Sequence, residues 1–325
     1  MRIVFLGTSE FALPALRRLV ESAYEVVAVY TQPDRPAGRG RRETPSPAKE
    51  LALGYGLPVL QPARVSAPEA TAELAAFKPD ILVAAAYGQI LRERVLQLPT
   101  RGIINIHPSL LPRYRGASPV GAAILAGDTE TGVTIMLMAL ALDEGPILSQ
   151  RREPIDARDT AGTLTERLAH IGADLLMETL PPYLEGTLQP QPQDPSLASY
   201  VPMVHKEAGL IDWRLPAVDL WRRVRAYNPW PGAFTNLDGA TLRILEAWPL
   251  PGDSGEPPGA VLPISAAELD EPALAREAAF AVQTGNGRLV VLKLQKAGHR
   301  ALAAADFLRG ERDFLGRRLG DSPSQ

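Results

Sequence analysis

Short apolar segments alternate with helical patterns throughout the first half of this chain. The stretch after the first segment carries apolar residues at helical spacing, at Leu13, Leu16, Leu19 and Val20. Strands that alternate with helices in this way are typical of a parallel sheet. We therefore predict an α/β domain whose sheet is mostly parallel. The first five predicted strands are residues 2–6, 25–30, 58–60, 80–86 and 102–106.

The turn after the first strand resembles half of a Rossmann unit but lacks its phosphate-binding glycines. Gly7 is followed by a predicted helix at 11–21, whereas a dinucleotide site requires the spacing Gly-x-Gly-x-x-Gly. A bound dinucleotide is therefore not expected. We predict that the Rossmann-like sheet continues with strands at 133–138 and 147–153, before a helix at 160–184.

A change of composition near residue 187 separates this domain from a second one. Residues 187–195 are rich in proline and glutamine, which is typical of an extended linker. Beyond them, short β-like segments separated by proline and glycine turns indicate a small antiparallel β-barrel. These segments are 240–247, 259–264, 280–284 and 288–295. We predict a first domain at 1–186, a linker at 187–205 and a smaller C-terminal domain at 206–318.

Composition limits the chemistry and the partners that are open to the chain. Its 325 residues, 46% hydrophobic and 22% charged, fit a globular protein of about two domains. The formal net charge of -3 gives no global basic field, so any RNA contact must come from a local patch. The absence of cysteine excludes disulfides, thiolate zinc sites and a cysteine nucleophile. We expect a cytoplasmic protein without a metal, since no signal peptide, membrane-length apolar run or metal-ligand cluster is apparent.

A polar pair on an apolar strand is the most informative local feature. Asn105 and His107 lie two residues apart on the predicted strand, so their side chains emerge on the same face. Pro108 keeps His107 extended and ends the strand, where open α/β sheets bind their ligands. Asp143 follows the predicted strand at 133–138 and could reach the imidazole. The alternatives are a buried structural histidine, a turn-forming asparagine and a turn carboxylate.

The motifs around this pair are similar to those of the formyltransferase family that uses 10-formyltetrahydrofolate. In that family an Asn-x-His pair, a Ser-Leu-Leu-Pro loop and a later Leu-Asp form the catalytic centre. Here these motifs are residues 105–107, 109–112 and 142–143. Further segments resemble the members that act on methionyl-tRNA, and the similarity extends from residue 1 to about residue 310. These segments are 31–40, 228–233, 294–298 and 306–308.

The resemblance implies a reaction and a set of site residues. A formyl group would pass from 10-formyltetrahydrofolate, a substrate rather than a bound cofactor, to the amino group of methionyl initiator tRNA. Asn105 would stabilise the oxyanion, and His107 would protonate or hydrogen-bond the same centre. Asp143 would orient the imidazole, favour its protonated form and pass on the proton of the amine. The implied folate contacts are Ser109, Leu110, Leu111, Pro112, Tyr87, Gly88 and Ile90.

An arginine-rich loop and the second domain are the implied tRNA-binding parts. Residues 34–42 carry four arginines among glycine and proline, and the simplest interpretation of such a run is solvated surface. In the family this loop enters the acceptor end of the tRNA, and the second domain is an oligonucleotide-barrel-like fold that helps to bind it. The implied tRNA contacts are Arg35, Arg39, Arg41, Arg42 and Lys206. The protein is expected to act as a monomer.

Three other functions remain open on the sequence. A glycinamide ribonucleotide formyltransferase shares the catalytic centre but resembles only the first domain. A sugar-nucleotide formyltransferase can carry an added C-terminal domain, although the basic loop and the motif at 228–232 favour tRNA as the acceptor. A non-enzymatic RNA-binding protein with a degenerate transferase domain is the third, and the intact catalytic motifs argue against it.

Overall fold

The chain forms two compact units in a computed structural model that describes residues 1–37, 42–269, 274, 278–311 and 313–320. The first unit comprises Met1–Val120, Thr129–Ile155 and Thr163–Pro202. The second unit comprises Gly121–Asp128, Asp156–Gly162 and Met203–Gln325. Two short segments from the first half of the chain therefore group with the C-terminal residues.

A seven-stranded, mostly parallel sheet forms the centre of the first unit. The strands of this unit are β1 (Arg2–Gly7), β2 (Glu25–Tyr30), β3 (Arg35–Ala37), β4 (Arg42–Thr44), β5 (Val59–Leu60), β6 (Ile81–Ala85), β7 (Ile103–His107), β8 (Arg115–Gly116), β9 (Glu130–Leu137), β10 (Ile147–Pro154) and β11 (Tyr200–Val201). The sheet order is β10-β9-β7-β6-β1-β2-β5, in which β9 pairs antiparallel with both β10 and β7 and all other neighbouring strands pair in parallel. The predicted Rossmann-like sheet is confirmed.

The central strands are buried on both faces, which explains why they stand out in the sequence as continuous apolar runs. All five residues of β6 are buried, as are the last five of β1. Helix α1 (Leu13–Val20) buries Ala15, Leu16 and Leu19 along one side, as its apolar spacing predicts. The other helices up to residue 184 are α2 (Pro47–Gly54), α3 (Pro68–Ala76), α4 (Glu93–Leu96), α5 (Pro119–Ala126) and α6 (Ala161–Leu184).

An antiparallel sheet that curls into a half-barrel forms the second unit. Its strands are β12 (Ala233–Leu237), β13 (Ala240–Leu250), β14 (Val261–Pro263), β15 (Phe280–Gln283), β16 (Arg288–Lys296) and β17 (Leu302–Ala303), and its helices are α7 (Ala217–Ala226) and α8 (Ala304–Gly310). The strand order is β12-β13-β16-β15-β14, and β17 pairs with β16. In its core, Phe314 makes edge-on contacts with Phe280 and Phe307 at ring-centre distances of 5.0 Å. The predicted small antiparallel β domain is confirmed.

Part of the segment predicted as a linker is fastened to the first unit, and this segment contains a short 3-10 helix at Pro195–Leu197. Gln191 and Ile147 exchange two backbone hydrogen bonds of 2.8 Å, and β11 pairs in parallel with β8. The backbone N–H of Tyr114 donates to the Ser199 hydroxyl at 2.9 Å. The chain therefore follows the surface of the first unit as far as Val201.

Candidate active site

His107 and Asp143 meet at the C-terminal end of strand β7 of the central sheet. His107 is the last residue of β7 and is only 4% exposed, and Asp143 lies in the turn after β9. The Nδ1 atom of His107 and the Oδ2 atom of Asp143 are 3.7 Å apart. The same Oδ2 atom accepts a hydrogen bond of 2.8 Å from the backbone N–H of Gly116. The structure thus brings together two residues that the sequence places at the ends of separate strands.

The hydrogen bonds of His107 fix the tautomer of its neutral ring. Its Nε2 atom lies 3.0 Å from the carbonyl oxygen of Tyr114, which only accepts, so Nε2 carries a hydrogen. Nδ1 of the neutral ring is then an acceptor that faces another acceptor, the Asp143 carboxylate, which agrees with their 3.7 Å separation. Burial lowers the pKa of His107 against the opposing effects of Asp143 and the Tyr114 carbonyl, so the neutral ring predominates near pH 7. Nδ1 is therefore the atom that can take up a proton.

The side chain of Asn105 is free to bind a substrate atom. Asn105 pairs with Ala84 of β6 and Met136 of β9, and its side chain points to the same face of the sheet as His107. The residue is half-buried, and within the described part of the chain no group hydrogen-bonds its amide. An amide N–H placed in this way can donate to an oxygen that becomes negatively charged during a reaction.

Two residues that hold the pair were missed in the sequence. Tyr114 supplies the carbonyl for His107, and Gly116 supplies the backbone N–H for Asp143. Gly116 has a φ of 112°, and a Cβ there would lie 2.3 Å from the carbonyl oxygen of Val201. A glycine that ends a loop next to a catalytic motif signals such a close backbone approach, and this signal could have identified Gly116.

The Ser-Leu-Leu-Pro loop is fixed to the neighbouring strand by its polar groups. The Ser109 hydroxyl is fully buried and donates to a backbone carbonyl of the loop at 2.7 Å. The hydroxyl of Thr134 in β9 donates to the Ser109 carbonyl at 2.7 Å and accepts from the Leu111 N–H at 3.1 Å. Leu111 is buried, whereas Leu110 and Pro112 are partly exposed. The folate contacts of this loop stay a prediction, and the side chains open to a ligand are those of Leu110 and Pro112.

Replacement of Ser109 by alanine is expected to weaken the loop and to leave folate affinity unchanged. The buried hydroxyl bonds the Arg113 carbonyl, so a folate contact of Ser109 would have to use its backbone. The change removes the buried hydrogen bond to the Arg113 carbonyl, which lowers the free energy of unfolding by about 1 kcal/mol. Denaturant unfolding measures this loss, and a folate titration measures the affinity, which should stay within about twofold. The exposed Ser196, changed to alanine, is the control. A tenfold or greater loss of folate affinity (about 1.4 kcal/mol) would instead place the hydroxyl in contact with the ligand.

The segment after β6 turns its tyrosine inward and its isoleucine outward. The Tyr87 ring is buried, and burial raises the pKa of its hydroxyl, which has no hydrogen-bond partner among the described residues. The Gln32 amide donates to the carbonyls of Tyr87 and Gly88 at 3.1 and 2.8 Å. Ile90 is 82% exposed and offers apolar surface to a ligand. The folate contacts of Tyr87, Gly88 and Ile90 stay predictions, and a Tyr87 contact would have to use its backbone.

The predicted tRNA-binding residues are described only in part. Arg39 and Arg41 lie outside the described residues, and the backbone of Arg42 begins β4. Arg35 donates from Nη2 to the Gln32 side-chain oxygen at 2.5 Å. Lys206 is exposed in the second unit. Their contacts with tRNA therefore remain predictions.

The N-terminal base of the basic loop is anchored by Asp34, which the sequence patterns did not indicate. Its carboxylate accepts from Lys49 Nζ and from Gln61 Nε2, each at 2.6 Å. These hydrogen bonds, that from Lys49 first, lower the pKa of Asp34. The basic loop thus starts from a fixed point beside β2.

The described part of the chain contains no group of three His, Asp or Glu side chains close enough to hold a metal ion. None of the helices in that part combines the length and the apolar character needed to cross a bilayer.

Comparison with known proteins identifies the family. The family model described as formyl transferase matches residues 1–180, and the model described as its C-terminal domain matches residues 203–312. A methionyl-tRNA formyltransferase of Roseiflexus sp. (strain RS-1) is 50% identical, and the alignment covers 100% of this chain and 97% of that protein. This chain belongs to the methionyl-tRNA formyltransferase family. Another methionyl-tRNA formyltransferase, from Methylococcus capsulatus, is 47% identical over 98% of this chain and 100% of its own length.

Solved structures of other proteins share the fold of this chain at low sequence identity. HypX from Aquifex aeolicus in complex with tetrahydrofolic acid has a TM-score of 0.62 at 20% identity, and the match covers 100% of this chain and 50% of HypX. An N-formyltransferase from Helicobacter canadensis, in complex with folinic acid and dTDP-3-aminofucose, has a TM-score of 0.64 at 18% identity. That match covers 90% of this chain and 98% of the other. These similarities support the fold, whereas the choice of acceptor rests on the closer relatives.

Proposed function

We propose that this chain transfers the formyl group of 10-formyltetrahydrofolate to the amino group of methionyl initiator tRNA, giving formylmethionyl-tRNA for translation initiation. The observation that carries the proposal is its relationship along the whole chain to proteins named methionyl-tRNA formyltransferase, at 44–50% identity. The approach of His107 to Asp143, with the free amide of Asn105 on the same face, supports this reaction.

Formyl transfer requires the site to position the amine, to stabilise negative charge on the formyl oxygen and to move a proton to the leaving nitrogen. The neutral amine attacks the formyl carbon and forms a carbon–nitrogen bond, and negative charge develops on the formyl oxygen. The bond to the tetrahydrofolate nitrogen then breaks, and that nitrogen gains the proton that the amine loses, so the reaction consumes no net proton. We assign the contact with the negative oxygen to Asn105, a type of contact worth about 3 to 4 kcal/mol of barrier when it is preorganised.

His107 and Asp143 are assigned to the movement of the proton. In this proposal the neutral Nδ1 atom takes the proton released by the amine, and the Asp143 carboxylate stabilises the resulting imidazolium. The ring then returns the proton to the leaving nitrogen. Because Nε2 of His107 already donates a hydrogen bond to the Tyr114 carbonyl, the proton transfer uses Nδ1.

Arg39 is expected to serve the tRNA, so Arg39→Ala should impair formylation of charged tRNA much more than folate binding. Loss of one arginine–phosphate contact lowers the slope of the salt dependence of tRNA binding by about 1. The measurements are the tRNA and folate affinities at several salt concentrations. Arg94→Ala is the matched control, since Arg94 is an exposed arginine of α4. Equal losses of tRNA and folate affinity would count against an RNA role for the loop.

We also propose that the protein acts in the cytoplasm, where charged initiator tRNA is used, and as a monomer. Light scattering of the purified protein, with and without tRNA, tests the second statement. A stable dimer in the active sample would contradict it.

A comparison of acceptors tests the proposed function. The purified protein is incubated with 10-formyltetrahydrofolate and, in parallel, with methionyl initiator tRNA, methionyl elongator tRNA or an amino-sugar nucleotide. Formylation of the initiator tRNA in strong preference to the other two is the expected result. Formylation of the sugar nucleotide alone would keep the formyl-transfer centre and overturn the tRNA assignment.

A further inference from the structure

The segment between the two regions matched by the family models holds both loops of the candidate active site. We call residues 191–201 the strap, and it lies outside both matched ranges, 1–180 and 203–312. Gln191 of the strap exchanges backbone hydrogen bonds with Ile147, which follows the turn that bears Asp143. Ser199 of the strap accepts from the backbone N–H of Arg115 at 2.8 Å. The strap therefore connects the Asp143 turn to the loop that hydrogen-bonds His107.

The Gln193 side chain reaches the Asp143 turn from the strap, as does that of Tyr200, whose hydroxyl donates to Glu144. The Nε2 atom of Gln193 donates to the carbonyls of Asp143 and Gly145, each at 2.8 Å. Its Oε1 atom accepts from the Nε and Nη2 atoms of Arg115, at 3.1 and 2.9 Å. Since carbonyls only accept and a guanidinium only donates, these four bonds fix the orientation of the amide. The Gln193 side chain thus joins the turn to Arg115.

Arg115 holds the oxygen end of the Gln193 amide in place. Its side chain is 3% exposed, so its charge needs compensation from the protein. Glu144, the residue next to Asp143, pairs with its Nη1 atom at 3.0 Å, and the Tyr200 hydroxyl accepts from the same atom at 2.9 Å. The guanidinium carbon also lies 5.5 Å from the centre of the Tyr200 ring. The network ties the strap to the residues on the C-terminal side of Asp143.

Asp143 depends on this support because of its backbone conformation. Its φ is 52°, in the left-handed region that a residue with a side chain adopts at an energetic cost. A turn in this conformation persists where surrounding hydrogen bonds hold it. Gln193 donates two such hydrogen bonds, to the carbonyls of Asp143 and Gly145. If these bonds were lost, the turn would relax and the carboxylate would leave its position 3.7 Å from His107.

We infer that Gln193 is a positioning residue for formyl transfer, which holds the Asp143 turn so that its carboxylate stays beside His107. Arg115 supports this role by orienting the Gln193 amide. The inference rests on the proposed function for its effect on turnover, and it also predicts a structural effect that does not depend on activity.

Gln193→Glu in the full-length protein is the test. Glutamate keeps the size of the side chain and its contact with Arg115, but its carboxylate cannot donate to the Asp143 and Gly145 carbonyls. We expect a loss of turnover number on the order of 100-fold, the size expected for a misplaced reacting group. KM for folate and for tRNA should stay within about twofold, because the substrate contacts are untouched. Gln191→Ala is the matched control, since the Gln191 side chain is exposed and its backbone makes the bonds to Ile147.

Hydrogen exchange gives a readout that is independent of activity. The Gly116 N–H donates to the Asp143 carboxylate, so its exchange should accelerate in Gln193→Glu and stay unchanged in Gln191→Ala. Gln193→Met, which removes the hydrogen bonds without adding a charge, serves as a second variant if the glutamate impairs folding. The same turnover loss and faster exchange are expected.

Unchanged turnover and unchanged Gly116 exchange in both Gln193 variants would overturn the inference while the proposed function stands. A wild-type protein that formylates no methionyl-tRNA would instead overturn the proposed function. In that case the exchange of Gly116 would still decide whether Gln193 positions Asp143.

Discussion

Replacement of Asp143 by asparagine is expected to lower the turnover number by about 10²- to 10⁴-fold, the range for a lost acid–base group. Folate affinity should change little, because the substitution keeps the shape of the side chain. The amide oxygen of asparagine can take the place of Oδ2 and still accept the hydrogen bond from the Gly116 N–H. It carries no full charge, however, so an imidazolium formed at His107 would lose its counter-charge. Steady-state formylation and a folate titration measure the two quantities.

The pH dependence of the variant has a definite sign. In the wild type, burial lowers the pKa of His107 and the Asp143 carboxylate opposes that effect. Removal of the carboxylate charge removes the opposition, so the pKa of His107 falls further below its ordinary value. Because the proposed step needs the neutral ring, the acid limb of the pH–rate profile should move to lower pH. A limb that moved to higher pH would contradict the assignment of His107 as proton acceptor.

A surface aspartate provides the matched control for Asp143. Asp174 pairs with Arg18 at 3.0 Å, and both side chains are 53% exposed, so the pair contributes little to stability. Asp174→Asn should therefore keep wild-type turnover and stability. Wild-type turnover of Asp143→Asn as well would remove Asp143 from the mechanism.

Replacement of Asn105 by alanine is expected to lower the turnover number by about 10²- to 10³-fold, which corresponds to loss of one preorganised donor to the oxyanion. The structural cost should be small, because no group in the described residues hydrogen-bonds the Asn105 side chain. KM should stay close to the wild-type value, since the contact strengthens only as charge develops on the formyl oxygen. Steady-state kinetics with both substrates, beside thermal unfolding, measure these effects.

Asn236 provides the matched control for Asn105. Asn236 lies on β12 in the second unit and is also half-buried, and the described residues provide no hydrogen bond to its side chain. Asn236→Ala should leave turnover unchanged. A variant of Asn105 that raised KM at unchanged turnover number would show that the amide binds the substrate uniformly and does not stabilise the transition state.

Much of the fold was predictable because its strands carry a local signal. The buried strand β6 is apolar throughout, and β2 was predicted with the bounds that the structure shows. Proline and glycine turns also marked the positions of β13 to β16 in the second unit, whereas β12 and β17 were not predicted. The sequence predicted that Asp143 could reach His107, but their places at strand ends do not by themselves bring them together. Leu137 at the end of β9 pairs with Ile104 near the start of β7, so the turn after β9 extends back along β7 to place Asp143 beside His107.

The remaining features depend on contacts that local patterns do not encode. Gln193 and Asp143 are 50 residues apart in the sequence, and the composition of the strap indicated only that it is extended. The burial of the Ser109 hydroxyl depends on how its loop folds, which the motif alone does not specify. The grouping of residues 121–128 and 156–162 with the second unit likewise arises from tertiary packing.

The stoichiometry of product formation tests the central claim most directly. Purified protein, 10-formyltetrahydrofolate and methionyl initiator tRNA are mixed, and both formylmethionine on the tRNA and free tetrahydrofolate are quantified over time. The proposed function predicts that the two products appear in equal amounts and that tetrahydrofolate release requires the charged tRNA. Release of tetrahydrofolate without formylmethionine, or no dependence on the tRNA, would contradict it.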